Sequence, residues 1–378
     1  MRFLQVGDLH IGKRLNEVSL LEDQQYILRQ ILDIAAAEAV DALLICGDVY
    51  DKALPSVEAV EMLDDCLCEI AARELPCFII AGNHDSAERL SFASRLVAAR
   101  NIHIARAYQG SVESYCLQDE HGPVHIHLLP FIRPLNVRRY FEECGSSYQE
   151  AVQLALAAHP LALGARHVLM AHQFVTAAGM DTQRCDSEAI SVGGLDNIDA
   201  GLFAAFDYVA LGHIHTPQAV GRPQVRYSGS PLAYSFSEVG QQKSVTIIEL
   251  GELGEAAQVR TVPLTPLRQM YKLKGGIEEL TAPEFVAAQD TEGYYQIMLT
   301  DVSAVDAHAR LKHCYPRLLQ LDFARTQAAD LPGSAVLPGQ SYDPLQLFGE
   351  FYLRQNGAEA TPEQLALIEE LLAEGEGE

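Results

Sequence analysis

Five short, mostly apolar runs of strand length mark the first 215 positions: Phe3-Leu4-Gln5-Val6, Ala42-Leu43-Leu44-Ile45-Cys46, Cys77-Phe78-Ile79-Ile80, Val168-Leu169-Met170 and Tyr208-Val209-Ala210-Leu211. Each stops at, or one alanine before, a glycine or a polar residue, as bounded strands do. Between the first three lie Leu20 to Ala39 and Val57 to Ala72, whose apolar positions recur with helical spacing. Strands alternating with helices predict an α/β region with a largely parallel, buried sheet. Further on, Ser244 to Leu250 reads as another strand. A separate compact α+β unit follows, with strands at Met270-Tyr271-Lys272-Leu273, Tyr294 to Leu299 and Leu318 to Phe323, and helical stretches around Ala282 to Ala288 and Val305 to His313.

Residues 330–341 have linker composition, with two Pro-Gly pairs. Beyond them, Asp343 can cap a helix that starts at Pro344 and stops at Gly357, and Thr361, Pro362 and Gln364 have capping-box spacing for a second. Leu345, Phe348, Phe351 and Tyr352 share one face of the first helix; Leu365, Ile368, Leu371 and Leu372 share one face of the second. Two short helices hold little core of their own, so these faces call for a partner surface. The alternative is that they fold back on the first region.

The chemistry sits where the apolar runs end. In order come Asp8-Leu9-His10, Gly47-Asp48, Gly82-Asn83-His84-Asp85, His172 and Gly212-His213-Ile214-His215. Open α/β sheets bind ligands beyond the carboxyl ends of their strands, so residues far apart in sequence converge there. Carboxylates, an amide oxygen and neutral imidazoles suit Mn, Fe or Zn, whereas an all-oxygen shell would suit Mg or Ca. No cysteine joins the series, which argues against a structural zinc site. In extended chain, alternate residues point to one side, so Asp8 with His10 and His213 with His215 are each expected to approach one locus. Asp48 is the natural carboxylate to bridge two ions. The similar spacing of His125-Ile126-His127 falls inside the alternating run Val124 to Leu129, and it reads as an ordinary strand face.

The five blocks resemble the calcineurin-like metallophosphoesterase superfamily, whose pattern is D-x-H, G-D, G-N-H-D/E, H and G-H-x-H. That resemblance implies two packed mixed β-sheets flanked by helices. It implies one metal ion on Asp8, His10, Asp48 and His215, and a second on Asp48, Asn83, His172 and His213. It gives His84 the role of an acid outside the metal shells. The continuation Val49-Tyr50-Asp51-Lys52-Ala53 and the aspartate at Asp85 depart from the superfamily's protein phosphatases. Together with the second unit and terminal helices, the whole chain resembles the SbcD family, the nuclease subunits of bacterial SbcCD complexes. What this implies is an Mn-dependent exonuclease on double-stranded DNA that also cuts near ends or hairpins, driven by ATP through SbcC. It also implies a homodimer within a heterotetramer, formed through helices of the catalytic region, for which Glu58 to Ala72 and Ala87 to Ala99 are candidates. The terminal helices would dock on the SbcC coiled coil. On this reading residues 1–263 are the nuclease domain, 264–329 a capping domain, 330–341 a linker and 342–378 the docking pair. Some family members carry His where Asp51 stands. A small-nucleotide phosphodiesterase and a non-cutting scaffold subunit are the alternatives.

Composition supports this reading and complicates one part of it. The chain has 378 residues, 48% of them hydrophobic, enough for more than one core. No apolar run approaches membrane-span length and no signal peptide is read before the first strand, so a cytoplasmic protein is expected. The eight cysteines form no C-x-x-C pair and read as reduced. Lys and Arg number 27 against 51 Asp and Glu, a net charge of −24, the wrong sign for gripping a polyanion. The last 38 residues hold nine acids and one arginine, so most of that charge lies elsewhere. Lys13, Arg14, Lys52 and Arg89 are the local basic groups nearest the motifs and the candidate DNA contacts.

Overall fold

The computed structural model describes residues 1–177, 183, 185–186, 196–301, 306–324 and 344–375. The linker read at 330–341 and the capping residue Asp343 lie outside them. By internal contacts the chain divides into two units, Met1–Tyr271 and Lys272–Glu378.

The first unit is built on β1 (Arg2–Val6), β2 (Ala42–Cys46), β3 (Cys77–Ile80), β4 (Ile102–Ile104), β5 (Glu113–Asp119), β6 (Gly122–Leu129), β7 (Arg166–His172), β8 (Tyr208–Gly212), β9 (Gln218–Val220), β10 (Arg222–Tyr227), β11 (Ser244–Glu249) and β12 (Gln258–Pro263). They form two six-stranded sheets, in the orders β12-β11-β1-β2-β3-β4 and β9-β10-β8-β7-β6-β5. The centre of each is parallel, where β1 to β4 pair in one sheet and β6, β7, β8 and β10 pair in the other. Antiparallel strands complete one edge of the first sheet and both edges of the second. The sheets are therefore mixed, as the family resemblance implies and as the periodicity alone did not show.

Alternation along the strands decides what each face buries. Phe3, Leu44, Phe78, Ile126, Val168, Met170, Tyr208 and Ala210 join one core drawn from both sheets. Their alternating neighbours Leu169, Ala171, Val209 and Leu211 pack with Val152 and Ala155 of the helix Tyr148–Ala157 in another. Inside the apolar layer, Gln5 donates through Nε2 to the carbonyls of Leu211 and Arg226 and accepts from the Tyr208 hydroxyl. These bonds satisfy buried polar groups and fix β1 against the other sheet at the end where the motifs emerge.

Two helices follow the expected spans: α1 (Leu21–Ala37) and α2 (Val57–Ala72). Ser56 caps α2 by accepting from the Ala59 amide. The stretch Ala87 to Ala99 is not one helix. It breaks into the short turns Ala87–Leu90 and Ser94–Val97 and a 3-10 turn, with Ala93 at φ +60°. Its alanines gave it helical spacing, but Phe92 and Leu96 are exposed, so no apolar face is buried to hold a continuous helix.

His125 and His127 do lie in a strand, β6, as expected. His127 is enclosed in a chain of imidazoles. Nε2 of His167 faces the Ala162 carbonyl at 3.0 Å, Nδ1 of His167 faces Nε2 of His127 at 2.9 Å, and Nδ1 of His127 faces Nε2 of His159 at 2.8 Å. A carbonyl only accepts, so it makes His167 a donor at Nε2, which fixes every proton down the chain. A second proton on His127 would set two donors against each other. Burial, and then His159, His167 and His125, hold its pKa down to about 3. The unfolded chain binds this proton from about pH 6.5 downward, so the stabilisation is complete above that value and is lost as pH falls. Thermal melts at pH 7 and pH 5 should differ by roughly 2–4 °C through this residue, about 1 kcal/mol. His127→Gln should shrink that difference; an unchanged slope would refute the assignment.

From β13 (Met270–Gly275), which begins in the last two residues of the first unit, the second unit carries a three-stranded sheet completed by β14 (Tyr294–Leu299) and β15 (Leu318–Phe323), with a helix at Ala307–Cys314. The terminal helices are α3 (Pro344–Asn356) and α4 (Pro362–Gly375). Gly357 closes the first at φ +67°, and the Thr361 and Gln364 side chains each accept from the other's amide. Tyr352 accepts from Gln364 Nε2 at 3.0 Å, tying the two helices together. Leu345, Phe348, Tyr352, Leu365 and Ile368 are half-buried, but Phe351 is 59% exposed and so departs from the expected face. The side chains of Leu371 and Leu372 lie outside the described residues.

Candidate metal centre

Every motif block falls in the loop or last residue at the carboxyl end of a parallel strand: Asp8 and His10 after β1, Asp48 after β2, Asn83 and His84 after β3, His172 ending β7, and His213 and His215 after β8. The route to convergence differs from the expected extended pairs. Asp8, His10, Asp48 and His213 have φ of +54°, +45°, +46° and +104°, although none is glycine. Such backbone costs on the order of 1 kcal/mol per residue and persists where the surroundings enforce it. Here the Asp8 amide bonds to the Gly47 carbonyl and the His10 amide to that of Asp48. Gln24 of α1 donates to the carbonyls of Leu9 and His10, and the Tyr234 hydroxyl also donates to Leu9.

The glycines of the blocks are there for space. A Cβ on Gly47 would stand 2.3 Å from His172 Nδ1, one on Gly82 2.2 Å from Asp48 Oδ1, and one on Gly212 1.9 Å from the Cys46 carbonyl oxygen. At these points the chain thus approaches a neighbouring side chain or backbone too closely for any Cβ.

The donor atoms meet. His10 Nε2 and His215 Nε2 are 3.2 Å apart, and Asp48 Oδ2 lies 3.3 Å from His172 Nε2 and 3.7 Å from His10 Nε2. Asn83 Oδ1 lies 3.1 Å from His172 Nε2 and 2.9 Å from His213 Nδ1. Asp8, His10 and His215 form one group with donor atoms within 4.8 Å of one another, and Asp8, Asp48 and His172 form another. His10, Asp48 and His84 form a third. His84 offers its amide to Asp48 Oδ1 at 2.8 Å, while its ring Nδ1 faces the Asp51 carbonyl at 2.9 Å.

Asp85, which ends its block, does structural work. Its carboxylate accepts from the amides of Val49, Tyr50 and Gly82, binding the second and third loops together. Gln24, Tyr234 and this use of Asp85 carry no signal in the spacing of the motifs. Of the basic candidates, Arg14, Lys52 and Arg89 are exposed, whereas Lys13 is held 2.8 Å from Asp51.

Electrostatics fit divalent cations. Asp8 and Asp48 are fully buried beside one another, and no Lys or Arg among the described residues ion-pairs with either. Burial pushes the Asp8 carboxyl up. Burial also opposes ionisation of Asp48, but the charge and hydrogen bond of His172 overcome it and hold Asp48 well below the usual range. Burial alone would lower His172; Asp48 raises it instead to about 9. His10 and His213 are pushed down, mainly by burial, His213 to about 3. His10 and His213 are thus held neutral, His172 exchanges its proton for an ion on binding, and imidazoles with buried carboxylates and an amide oxygen are the donor set that Mn, Fe or Zn takes.

A model of the calcineurin-like phosphoesterase family matches residues 1–217. The chain is 33% identical to the SbcD subunit of the SbcCD nuclease of Staphylococcus epidermidis, over 85% of each protein. It is 30% identical to the SbcD subunit of the same nuclease of Staphylococcus saprophyticus, over 98% of each. Among solved structures, TT1561 of Thermus thermophilus aligns with a TM-score of 0.39 at 11% identity, over 69% of this chain and 98% of that one.

Proposed function

This chain belongs to the calcineurin-like phosphoesterase family, alongside the SbcD subunits of SbcCD nucleases, and from that premise we propose that it cuts phosphodiester bonds in double-stranded DNA as the nuclease partner of an SbcC-type ATPase. The observation that carries the proposal is the convergence of eight side chains from five strand ends on one buried centre. Asp8, His10, Asp48 and His215 would hold one ion, and Asp48, Asn83, His172 and His213 the other; Mn2+ fits both sets. Two such ions lower the pKa of water and stabilise charge on the attacking and leaving oxygens. The chain's own part is to set geometry. Asp48 spans both halves, Asn83 links His172 to His213, and the Asp51 carbonyl fixes His84 as a donor at Nδ1. With that proton held, His84 would serve the leaving oxygen as the imidazolium, handing over the proton on Nε2 while the Nδ1 proton stays on the carbonyl.

The acidic balance assigns DNA capture to the complex. Arg14, Lys52 and Arg89, exposed and close in sequence to the motif blocks, would supply local positive charge against a net charge of −24. The isolated chain should therefore bind linear duplex only weakly at physiological salt, and nanomolar binding would contradict this. The terminal helices α3 and α4 are proposed to dock on the SbcC coiled coil through Leu345, Phe348, Tyr352, Leu365 and Ile368, with Phe351, Leu371 and Leu372 as further candidates. Exposed Leu54, Val57 and Val60, with Phe92 and Leu96, supply apolar surface for a homodimer contact within a heterotetramer. The eight cysteines are all free, and no described helix is long and apolar enough to cross a membrane.

The deciding experiment offers linear duplex DNA and a chromogenic phosphodiester, each with Mn2+, to the chain with and without its ATPase partner. ATP-stimulated degradation of DNA by the complex is the expected result. Hydrolysis of the small ester but never of DNA would favour a small-nucleotide phosphodiesterase, and hydrolysis of neither a scaffold subunit.

A further inference from the structure

Metal-ligating imidazoles are oriented by whatever their second nitrogen faces. His172 turns Nδ1 to the backbone carbonyl of Cys46 at 2.8 Å, a neutral acceptor. The two histidines that meet across 3.2 Å at the other half have a different backing. Asp51 Oδ1 lies 3.6 Å from His10 Nδ1, and Lys13 Nζ lies 2.8 Å from the same oxygen. Glu238 Oε1 lies 3.9 Å from His215 Nδ1, and its Oε2 lies 2.5 Å from Lys243 Nζ. Each of these histidines thus has a carboxylate behind its outer nitrogen, at ion-pair rather than hydrogen-bond distance, and each carboxylate has its own lysine.

The second pair is buried in full. Glu238, His215 and Lys243 have side-chain exposures of 0, 3 and 6%. Lys243 Nζ also donates to the His215 carbonyl at 3.0 Å and to Ser230 Oγ at 3.1 Å, while Glu238 Oε1 accepts from the Tyr234 amide. One ammonium therefore grips both the backbone of the ligand and the carboxylate that faces its ring. Burial opposes ionisation of Glu238, but His215 and Lys243 outweigh it and keep the carboxylate charged. A buried ion pair is weak evidence for stability on its own, since desolvation offsets its attraction. Placed behind a donor ring, it has a more specific use.

We propose that Asp51–Lys13 and Glu238–Lys243 are matched positioning pairs that fix His10 and His215 for one ion, making the centre asymmetric and this half the tighter of the two. A carboxylate behind an imidazole fixes its tautomer and raises its donor strength, and losing such a partner costs about 10- to 100-fold in metal affinity. His172, in the other half, has a peptide carbonyl in that place. Asp51 thereby has a use of its own: its side chain backs His10 while its carbonyl holds His84.

The inference rests on the two-metal reading, and one titration separates them. Metal-free full-length chain is titrated with Mn2+ by calorimetry, with paramagnetic resonance following the exchange-coupled pair. Wild type, Asp51→Asn and the double variant Glu238→Gln/Lys243→Met are compared. The double variant removes both charges, so no orphan remains buried, and Asp51→Asn leaves that pair untouched should the double variant fail to fold. The expected result is two unequal sites in wild type. In each folded variant the tighter site should weaken by about 10- to 100-fold while the weaker one keeps its affinity. Wild type that takes up no Mn2+ would overturn the two-metal reading itself. Two equal wild-type sites, or folded variants that bind as wild type does, would overturn only this inference.

Discussion

Asp48→Asn is expected to lower kcat on a phosphodiester by on the order of 10³-fold or more, the scale of several kcal/mol of lost charge stabilisation. The substitution keeps the shape and removes the charge. Asp48 Oδ2 lies within 3.7 Å of imidazoles from both halves of the centre, and Oδ1 accepts the His84 amide. Asp8 also groups with His10 and with His172 at separations of up to 4.8 Å, so the bridging assignment rests on the ion-pair distances of Asp48 to both rings. The metal-free protein should melt lower than wild type, because Asp48 and His172 stabilise each other's charged forms in the folded chain. Stabilisation by Mn2+ should largely vanish, against about 2.7 kcal/mol for wild type at 100 times Kd. Retained activity would remove Asp48 from the bridging position.

His84→Ala should cost about 10²- to 10⁴-fold in kcat on DNA, the usual worth of a positioned acid, and leave metal affinity within about twofold. Two features make this more than a generic loss. The Asp51 carbonyl holds Nδ1 and turns Nε2 toward the centre, and the ring packs edge-on against His10 with centroids 4.8 Å apart. Because the residue is assigned to the leaving oxygen, an ester with a good leaving group should suffer less than DNA. His84 also stands in a cluster with His10 and Asp48 close enough to share an ion. Loss of Mn2+ affinity in His84→Ala would make it a ligand, and equal losses on both substrates would deny it the acid role.

What could be read from sequence was what periodicity and spacing encode. The apolar runs located β1, β2, β3, β7 and β8, and the residues just past them are the ones that converge. The sheets' antiparallel edges were not visible, because pairing direction is set by topology and not by composition. The left-handed backbone at Asp8, His10, Asp48 and His213 was hidden too, since no glycine stands there to signal it. Those conformations are imposed by tertiary partners such as Gln24 and Tyr234, which come from a helix and a late loop. Glu238 and Lys243 were missed for the same reason: they follow the last block by more than twenty residues, in a segment without periodicity. The stretch Ala87 to Ala99 failed in the opposite sense. Its helical spacing was real, but exposed Phe92 and Leu96 leave it no buried face.

The central claim is that these strand ends hold two ions bridged by Asp48, and anomalous diffraction from crystals grown with Mn2+ tests it most directly. Two peaks about 3.5–4 Å apart are expected, sharing the Asp48 carboxylate, with Asp8, His10 and His215 on one ion and Asn83, His172 and His213 on the other. A single peak, or peaks that leave Asp48 outside both coordination shells, would contradict the account.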